Sequence, residues 1–358
     1  LVTGANGFIG QHLCRYLIDN GYQVRGLYHE NRPLYFLSKQ EIEWVNADLS
    51  DQSSIQGVTD SIEVIIHLAA IPRNDLRKTW EDFLAVNVNG TRYLLSEAQK
   101  SGIKKFIFIS TVEAAGYGDG IHPRTEDDPP KPDNNYGKSK LEAEKLVLSE
   151  QWTFKKTVLR LPMIYGPGTL LVVPKLFGMV RKGFYPFIGS GKTLMEFCYV
   201  GNVAKAIALT IESGKTDNKL FYISDHRSYT IKEVIDAIAH AMGKKYLPLH
   251  IPQPVANMTA VAFEILARIY PYPPVVSPYS KKPFFTRETV RWTTRNINFI
   301  STEKFQKLFP EHKILFNPEF LVAKTATQDF LKPNRQIVGY TKKSENSAQM
   351  VLDILPPA

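Results

Sequence analysis

With 358 residues, 44% hydrophobic and 22% charged, the chain has the make-up of a folded globular protein of one large or two modest domains, which excludes a disordered polypeptide. Its two cysteines, Cys14 and Cys198, lie far apart and outside zinc-ligand spacing, so neither a disulfide framework nor a metal site is expected, and a reducing, cytoplasmic compartment fits. The net charge of +9 belongs to the C-terminal part, where residues from His226 onward carry 18 Lys and Arg against 10 Asp and Glu; with no nucleic-acid-binding motif in sight, no nucleic acid is expected as a partner, and an anionic membrane surface is the other use for such an excess.

The first half alternates short apolar runs with helical patterns. "LVTG" (1–4), "YQVRGLY" (22–28), "IEWVNAD" (42–48), "EVIIHLAA" (63–70), "KKFIFIST" (104–111) and "KKTVLRLP" (155–162) suit strands buried on both faces of a parallel sheet. Residues 10–21, 86–102 and 137–151 between them carry helical spacing. This alternation predicts an α/β fold, a Rossmann-type doubly wound parallel sheet. Leu1 reads as the middle of a strand, so a few native residues are expected before it, with any targeting signal among them.

After Pro162 the pattern loosens. "FCYVGNVA" (197–204) and "KLFYISD" (219–225) read as strands returning to the sheet, so the main domain is expected over 1–162 with 197–225. A smaller C-terminal substrate-binding domain would comprise 163–196 and 226–332, followed by a polar tail, 333–358. "PVANMTAVAFEILARI" (254–269) is the most apolar helix, but Asn257, Glu264 and Arg268 interrupt it, so it falls short of a transmembrane span. Val255, Met258, Val261, Ala262, Ile265, Leu266 and Ile269 form a stripe at helical spacing. The plainer expectation is that this stripe packs on the second domain; the sharper one is peripheral, in-plane contact with a membrane.

Chemistry concentrates in two motifs. "TGANGFIG" places Gly4, Gly7 and Gly10 after a strand and before a helix. That arrangement allows a tight turn, backbone approach to a pyrophosphate and close packing of helix on strand, with the helix N-terminus facing the phosphates. "NNYGKSKLEAEK" sets Tyr136 and Lys140 four apart, on one face of a helix. A free phenol with a pKa of roughly 10 is almost wholly protonated at pH 7, and an adjacent ammonium favours its ionised form. "GSGKT" (189–193) lacks the first glycine of a nucleotide triphosphatase loop, Pro186 standing there, and is set aside.

The glycine loop, "NADLSD" with Asp48, "HLAA" (67–70), Asn87, the Ser110-Thr111 pair and the YxxxK motif together resemble the extended short-chain dehydrogenase/reductase superfamily, the NAD-dependent epimerase/dehydratase group, over roughly residues 1–330. The resemblance implies that Tyr136 is the catalytic acid/base and that Lys140 holds the nicotinamide ribose. Thr111, aided by Ser110, would hold the reacting oxygen. It also implies a cofactor bed of Gly4, Asn6, Gly7, Phe8, Ile9 and Gly10, with Asp48 and Leu49 beside the adenine, the backbone of Leu68, Ala69 and Ala70, then Asn87 and Pro162. Asp48 also has the plainer reading of a turn aspartate, and His67 reads as a packed histidine. No metal is implied. A homodimer through the YxxxK helix is implied as well.

NAD enzymes of this kind end the second strand with an acid for the ribose hydroxyls, and here Tyr28 stands there. Glu30 could serve if the loop bends, whereas His29 and Arg32 could receive a 2'-phosphate, which tips the expectation slightly toward NADP. On the substrate side, "RLPMIYGP" has Met163 where nucleotide-sugar members carry Asn, and "TLMEFCYV" has Met195 where they carry an Arg for the diphosphate. Together with Glu113 in "STVEAAG", these features look most like the 3β-hydroxysteroid and sterol-4α-carboxylate dehydrogenase branch. Val112 in place of an Asp argues against dehydration. The expected reaction is hydride transfer between NAD or NADP and a hydrophobic, sterol-like alcohol or ketone. A nucleotide-sugar epimerase and a non-catalytic dinucleotide sensor are the alternatives.

Overall fold

The computed structural model describes residues 1–30, 37, 41–72, 78–169, 173–225, 228–270, 285–295 and 299–311. In chain order, β1 (Val2–Thr3), α1 (Phe8–Asp19), β2 (Arg25–Tyr28), β3 (Glu43–Asn46) and β4 (Val64–His67) open the fold. One continuous helical run follows: α2 (Trp80–Phe83), a π-helical stretch (Leu84–Gly90) and α3 (Thr91–Ser101). Then come β5 (Lys105–Thr111), α4 (Asn135–Leu148) and β6 (Lys155–Leu161). These strands, with β11 (Lys219–Tyr222), form a seven-stranded parallel sheet in the order β11-β6-β5-β4-β1-β2-β3. The strand order reverses between β1 and β4, the place where such sheets open a crevice for ligand.

Strand alternation assigns the two cores. On β5, Ile107 and Ile109 pack toward Leu13 and Leu17 of α1, whereas Phe106 and Phe108 pack toward Leu94 of α3 and Ala143 and Val147 of α4. Every residue of β5 is buried, which is why the run carried no polar alternation. Local signals set several helix ends. A Thr79–Asp82 capping box starts α2, and Asn134 caps α4 by accepting from the Gly137 N–H at 2.8 Å. Gly102, at φ +65°, closes α3 in the left-handed conformation that glycine tolerates best.

The second half supplies β7 (Met163–Tyr165), α5 (Val173–Arg181), β8 (Phe184–Ile188), β9 (Leu194–Met195), β10 (Phe197–Tyr199) and α6 (Val200–Glu212). Beyond β11 lie β12 (Tyr229–Thr230), α7 (Ile231–Ala241), β13 (Leu247–Ile251), α8 (Gln253–Ile269), α9 (Arg287–Thr294) and α10 (Glu303–Leu308). The smaller lobe packs Phe177 and Val180 of α5 with Phe187 of β8 and Ile235 and Ile238 of α7. The expectation of one strand over 197–204 is corrected: β10 ends at Tyr199, pairs with β7 rather than with the large sheet, and gives way to α6. Helix α6 is buried nearly all round, between α1 and the sheet, so its apolar residues show no stripe and imitate a buried strand. Of residues 219–225, Lys219–Tyr222 do return to the large sheet as β11, beside β6.

The reading of α8 as packed through its apolar stripe is also corrected. Val255, Met258, Val261, Ile265, Leu266 and Ile269 are exposed, and the helix instead buries Ala256 and Ala260 against Ile188 and Val290. Small side chains permit the closer approach, so packing selected the alanine face over the more hydrophobic one. Among the described residues no helix is long and apolar enough to cross a membrane.

Candidate active site

The glycine loop lies at the C-terminal end of β1. Gly4 has φ +67°, a conformation costly for other residues, and a side chain there would press on the Ala69 backbone at 3.1 Å. A Cβ at Gly10 would overlap the Gly4 carbonyl and come within 2.8 Å of the Ala5 backbone. Gly7 stands at the N-cap of α1 with no side chain to cap it, so the helix presents its first N–H groups and positive dipole end outward. Asn6 braces the loop, its Nδ2 donating to the Glu30 carbonyl at 2.6 Å. Gly10→Ala is therefore expected to weaken NAD(P)H binding by about tenfold or more and to lower the melting temperature. Fluorescence titration and a thermal melt check it, and unchanged values in both would contradict this packing.

A directional hydrogen-bond chain supports the β4 end. The Ala69 N–H donates to Thr3 Oγ1 at 3.0 Å, and that hydroxyl meets His67 Nδ1 at 2.7 Å. On the other ring edge His67 Nε2 meets Thr91 Oγ1 at 3.0 Å, and Thr91 donates to the Asn87 carbonyl at 2.7 Å. The two hydroxyls thus assign the proton to Nε2 of a neutral ring. Burial, with Lys140 adding to it, pulls His67 down to about 3, so it is a packed histidine, as its sequence context indicated. Asn87, in the π-helical stretch, accepts from the Ile71 N–H at 2.8 Å and donates to Ser139 Oγ at 3.0 Å. It ties the Leu68-Ala69-Ala70 segment to α4. Thr3, Thr91 and Ser139 carry this scaffold, and no motif in the sequence singled them out.

Helix α4 brings Tyr136 and Lys140 to one face. Its first turn is pressed onto the turn that follows Thr111, because Gly137 has no side chain to clash with the Glu113 carbonyl. Asn134 Nδ2 donates to Glu113 Oε2 at 2.9 Å and fixes that approach, giving Glu113 a role in holding the helix start. Tyr136 is half-buried, its ring 6.3 Å from that of Phe83. Lys140 is buried, donates to the Ile109 carbonyl at 2.7 Å and stands 3.9 Å from the centre of the Phe108 ring. Burial pulls its ammonium down to about 7, while the Glu144 carboxylate one turn on opposes the shift.

Ser110 and Thr111 part company. Ser110 shares the α4 face of β5 with Phe106 and Phe108, and its Oγ donates to Glu144 Oε1 at 2.5 Å. Glu144 is also gripped by Arg160, whose Nε and Nη2 donate to its two oxygens at 2.9 and 2.7 Å. Ser110 is thus tied to a buried ion pair. Thr111 ends the strand, its Oγ1 accepting from the Glu113 N–H at 3.3 Å.

Around the adenine end, Leu49 is buried and packs against Gly90, where a Cβ would come within 2.8 Å of the Leu49 carbonyl. Asp48 has both candidate characters: its Oδ1 accepts from the N–H and Oγ of Ser50 at 2.8 and 2.7 Å, as a turn aspartate does, while Oδ2 faces the His29 ring at 3.5 Å. Burial pushes its carboxyl up, but the Ser50 bonds and His29 outweigh that and hold it below its usual range. Tyr28 ends β2 with its ring against Trp44, and Arg32 lies outside the described residues.

The opposite side is apolar. Met195 is buried and Met163 half-buried among Tyr165, Phe197, Tyr199 and Tyr229, and Phe8 and Ile9 from the glycine loop pack on the same cluster. Pro162 is half-buried between β6 and β7. Beneath the cluster Asp225 accepts from the Tyr165 hydroxyl at 2.9 Å, the Tyr199 N–H at 3.1 Å and Asn202 Nδ2 at 2.8 Å. Burial raises Asp225 from an ordinary 3.8 to about 7. A raised acid binds its proton more tightly folded than unfolded, so its contribution to stability is present below about pH 4 and lost as pH rises through 7. Asp225→Asn is expected to flatten the fall in melting temperature between those limits, and an unchanged slope would remove Asp225 as its source. Among the described residues no group of three His, Cys, Asp or Glu could hold a metal.

The sequence pattern of the NAD dependent epimerase/dehydratase family matches residues 1–223. The chain belongs to that family. Mouse sterol-4-alpha-carboxylate 3-dehydrogenase, decarboxylating, is 28% identical over 320 residues, covering 86% of this chain and 84% of the relative. The N-acetyl-alpha-D-glucosaminyl-diphospho-ditrans,octacis-undecaprenol 4-epimerase of Escherichia coli O157:H7 is 28% identical over 275 residues, 75% of this chain and 80% of that one. Among solved structures, UDP-glucose 4-epimerase from Thermotoga maritima, with UDP-glucose, superposes with a TM-score of 0.61 at 28% identity, covering 70% of this chain and 84% of that one. As an epimerase/dehydratase family member the chain is an NAD(P)-dependent enzyme. The side-chain-free glycine cradle at the α1 N-terminus, at the strand-order reversal, fits a dinucleotide pyrophosphate.

Proposed function

We propose that this epimerase/dehydratase family member is an oxidoreductase that interconverts a hydrophobic, sterol-like secondary alcohol and its ketone, with Tyr136 as acid/base. The observation that carries the reaction is the buried Lys140 ammonium on the face of α4 that bears Tyr136, with the start of that helix locked to the Thr111 turn. When bound, NAD(P) accepts or donates the hydride. Tyr136 takes the hydroxyl proton of the alcohol as the C–O bond becomes a carbonyl, and returns it in reduction. Thr111 holds the oxygen by hydrogen bonding. The charge of Lys140, favoured by Glu144, stabilises the phenolate.

The apolar nature of the substrate is supported by Met163 and Met195, which give the adjoining cluster soft, uncharged surfaces and no partner for a diphosphate. The mouse relative's name points the same way. NADP is favoured over NAD because Tyr28 offers no carboxylate to ribose hydroxyls. The similarity to sugar 4-epimerases carries a second reading, epimerisation of a diphospho-sugar with no net redox change. Incubating the protein with NAD or NADP and a panel of 3β-hydroxysteroids and simple secondary alcohols, while following near-ultraviolet absorbance, separates the two. Turnover with a steroid supports the first reading; silence there with conversion of UDP-glucose to its 4-epimer would replace it. Binding of dinucleotide with neither activity would favour a sensor.

A further inference from the structure

We propose that the outer face built from α8 and the uncovered end of the β8–β13 strand pair docks on an anionic lipid membrane. The register pairs Leu247 with Phe184, Leu249 with Pro186 and Ile251 with Ile188. Alternation sets these six residues on one face of the strand pair, while Tyr185 and Phe187 pack on α5 and α7 on the other. Helix α8 sits on the first face, covering only its Ile188 and Ile251 end through Ala256 and Ala260. Phe184, Leu247 and Leu249 are left exposed, Leu247 at 60%. The helix turns its own apolar stripe away from the protein, with Met258 73% and Ile269 76% exposed. Large apolar side chains gathered on one side of a lobe mark a contact surface, whereas scattered single ones do not.

Charge selects the occupant. Arg181 and Lys182 lead into β8, Lys244 and Lys245 lead into β13, and all four are exposed. The Leu247 N–H donates to the Gly183 carbonyl at 2.9 Å, which puts the two basic connectors side by side at the Phe184 and Leu247 end. Cations beside an apolar face are the pattern of a segment lying in a membrane interface, drawn by anionic headgroups and held by insertion of side chains among the acyl chains. The shortness of α8 agrees with lying on the surface rather than spanning it. This inference stands apart from the substrate reading, since it uses none of the residues of the active site.

The test is flotation of the full chain with vesicles of phosphatidylcholine alone and of phosphatidylcholine with phosphatidylserine. The expected result is binding to the anionic vesicles stronger by about tenfold, falling with salt. Met258→Glu with Ile265→Glu should reduce binding to background, and Lys244→Glu with Lys245→Glu should remove the preference for phosphatidylserine. A thermal melt confirms that each variant folds, with Met258→Ser and Ile265→Ser as the milder pair. Equal binding to both vesicles, no binding to either, or binding unchanged in the α8 variants would overturn the proposal. A dimer in light scattering that the α8 variants split, without vesicle binding, would assign the face to a second copy of the chain instead.

Discussion

Tyr136→Phe is expected to lower kcat by about 10²- to 10⁴-fold, the range of a lost general acid/base, with NAD(P)H affinity changed little. The hydroxyl is the only group removed, so the ring keeps its place beside Phe83 and the α4 start stays locked by Asn134 and Gly137. The dinucleotide cradle at Gly4, Gly7 and Gly10 belongs to another element and should not sense the change. Turnover and fluorescence titration on the same preparation check both halves. Retained kcat would remove Tyr136 from the mechanism, whereas loss of cofactor binding along with kcat would mean that the hydroxyl serves binding rather than proton transfer.

The largest effect on stability is expected at Arg160. Arg160 and Glu144 are 3% and 2% exposed and joined by two parallel hydrogen bonds, with Arg160 Nη1 also donating to the Tyr222 hydroxyl at 3.0 Å. Arg160→Leu leaves the Glu144 carboxylate buried with Ser110 as its remaining partner, at a cost of about 3–5 kcal/mol. Removing both charges, Arg160→Leu with Glu144→Leu, should recover part of that loss, since neither member of the pair is then stranded, while the buried Lys140 ammonium loses the carboxylate that favours its charge. Denaturant melts of the single and double variants measure the coupling. A single variant within about 1 kcal/mol of wild type would show that the pair contributes little, against this geometry. The double variant has a second readout: without Glu144 to oppose burial, Lys140 should lose its proton at lower pH, so the loss of turnover at high pH should begin at lower pH.

Much of the fold was open to reading because its signals are local. Near-continuous apolar runs gave the parallel strands, although the edge strand β3 is half-exposed rather than buried on both faces, and glycines at 4, 7 and 10 marked a turn that side chains would block. Tyr136 and Lys140 share a face by helical geometry alone. Strand parity also separates Ser110 from Thr111, although the motif presented them as a pair. What misled was burial without periodicity: α6, apolar on all sides, resembled the strand that precedes it. In the polar scaffold of Thr3, His67, Thr91, Asn87 and Ser139, the members Thr3, Thr91 and Ser139 had no signature, because the scaffold comes from four separate stretches of chain and meets only when β1, β4, the Leu84–Ser101 helical run and α4 are side by side.

The sequence by itself determined the class of sheet, the dinucleotide loop and the helix that pairs a phenol with an ammonium, all consequences of spacing along a few turns of chain. The tertiary structure alone decided which way α8 faces, that Ser110 is bound to Glu144, and that burial brings Lys140 and Asp225 to about 7. Burial, charge pairing and the choice between two faces of one helix depend on residues distant in sequence, and no local pattern contains them.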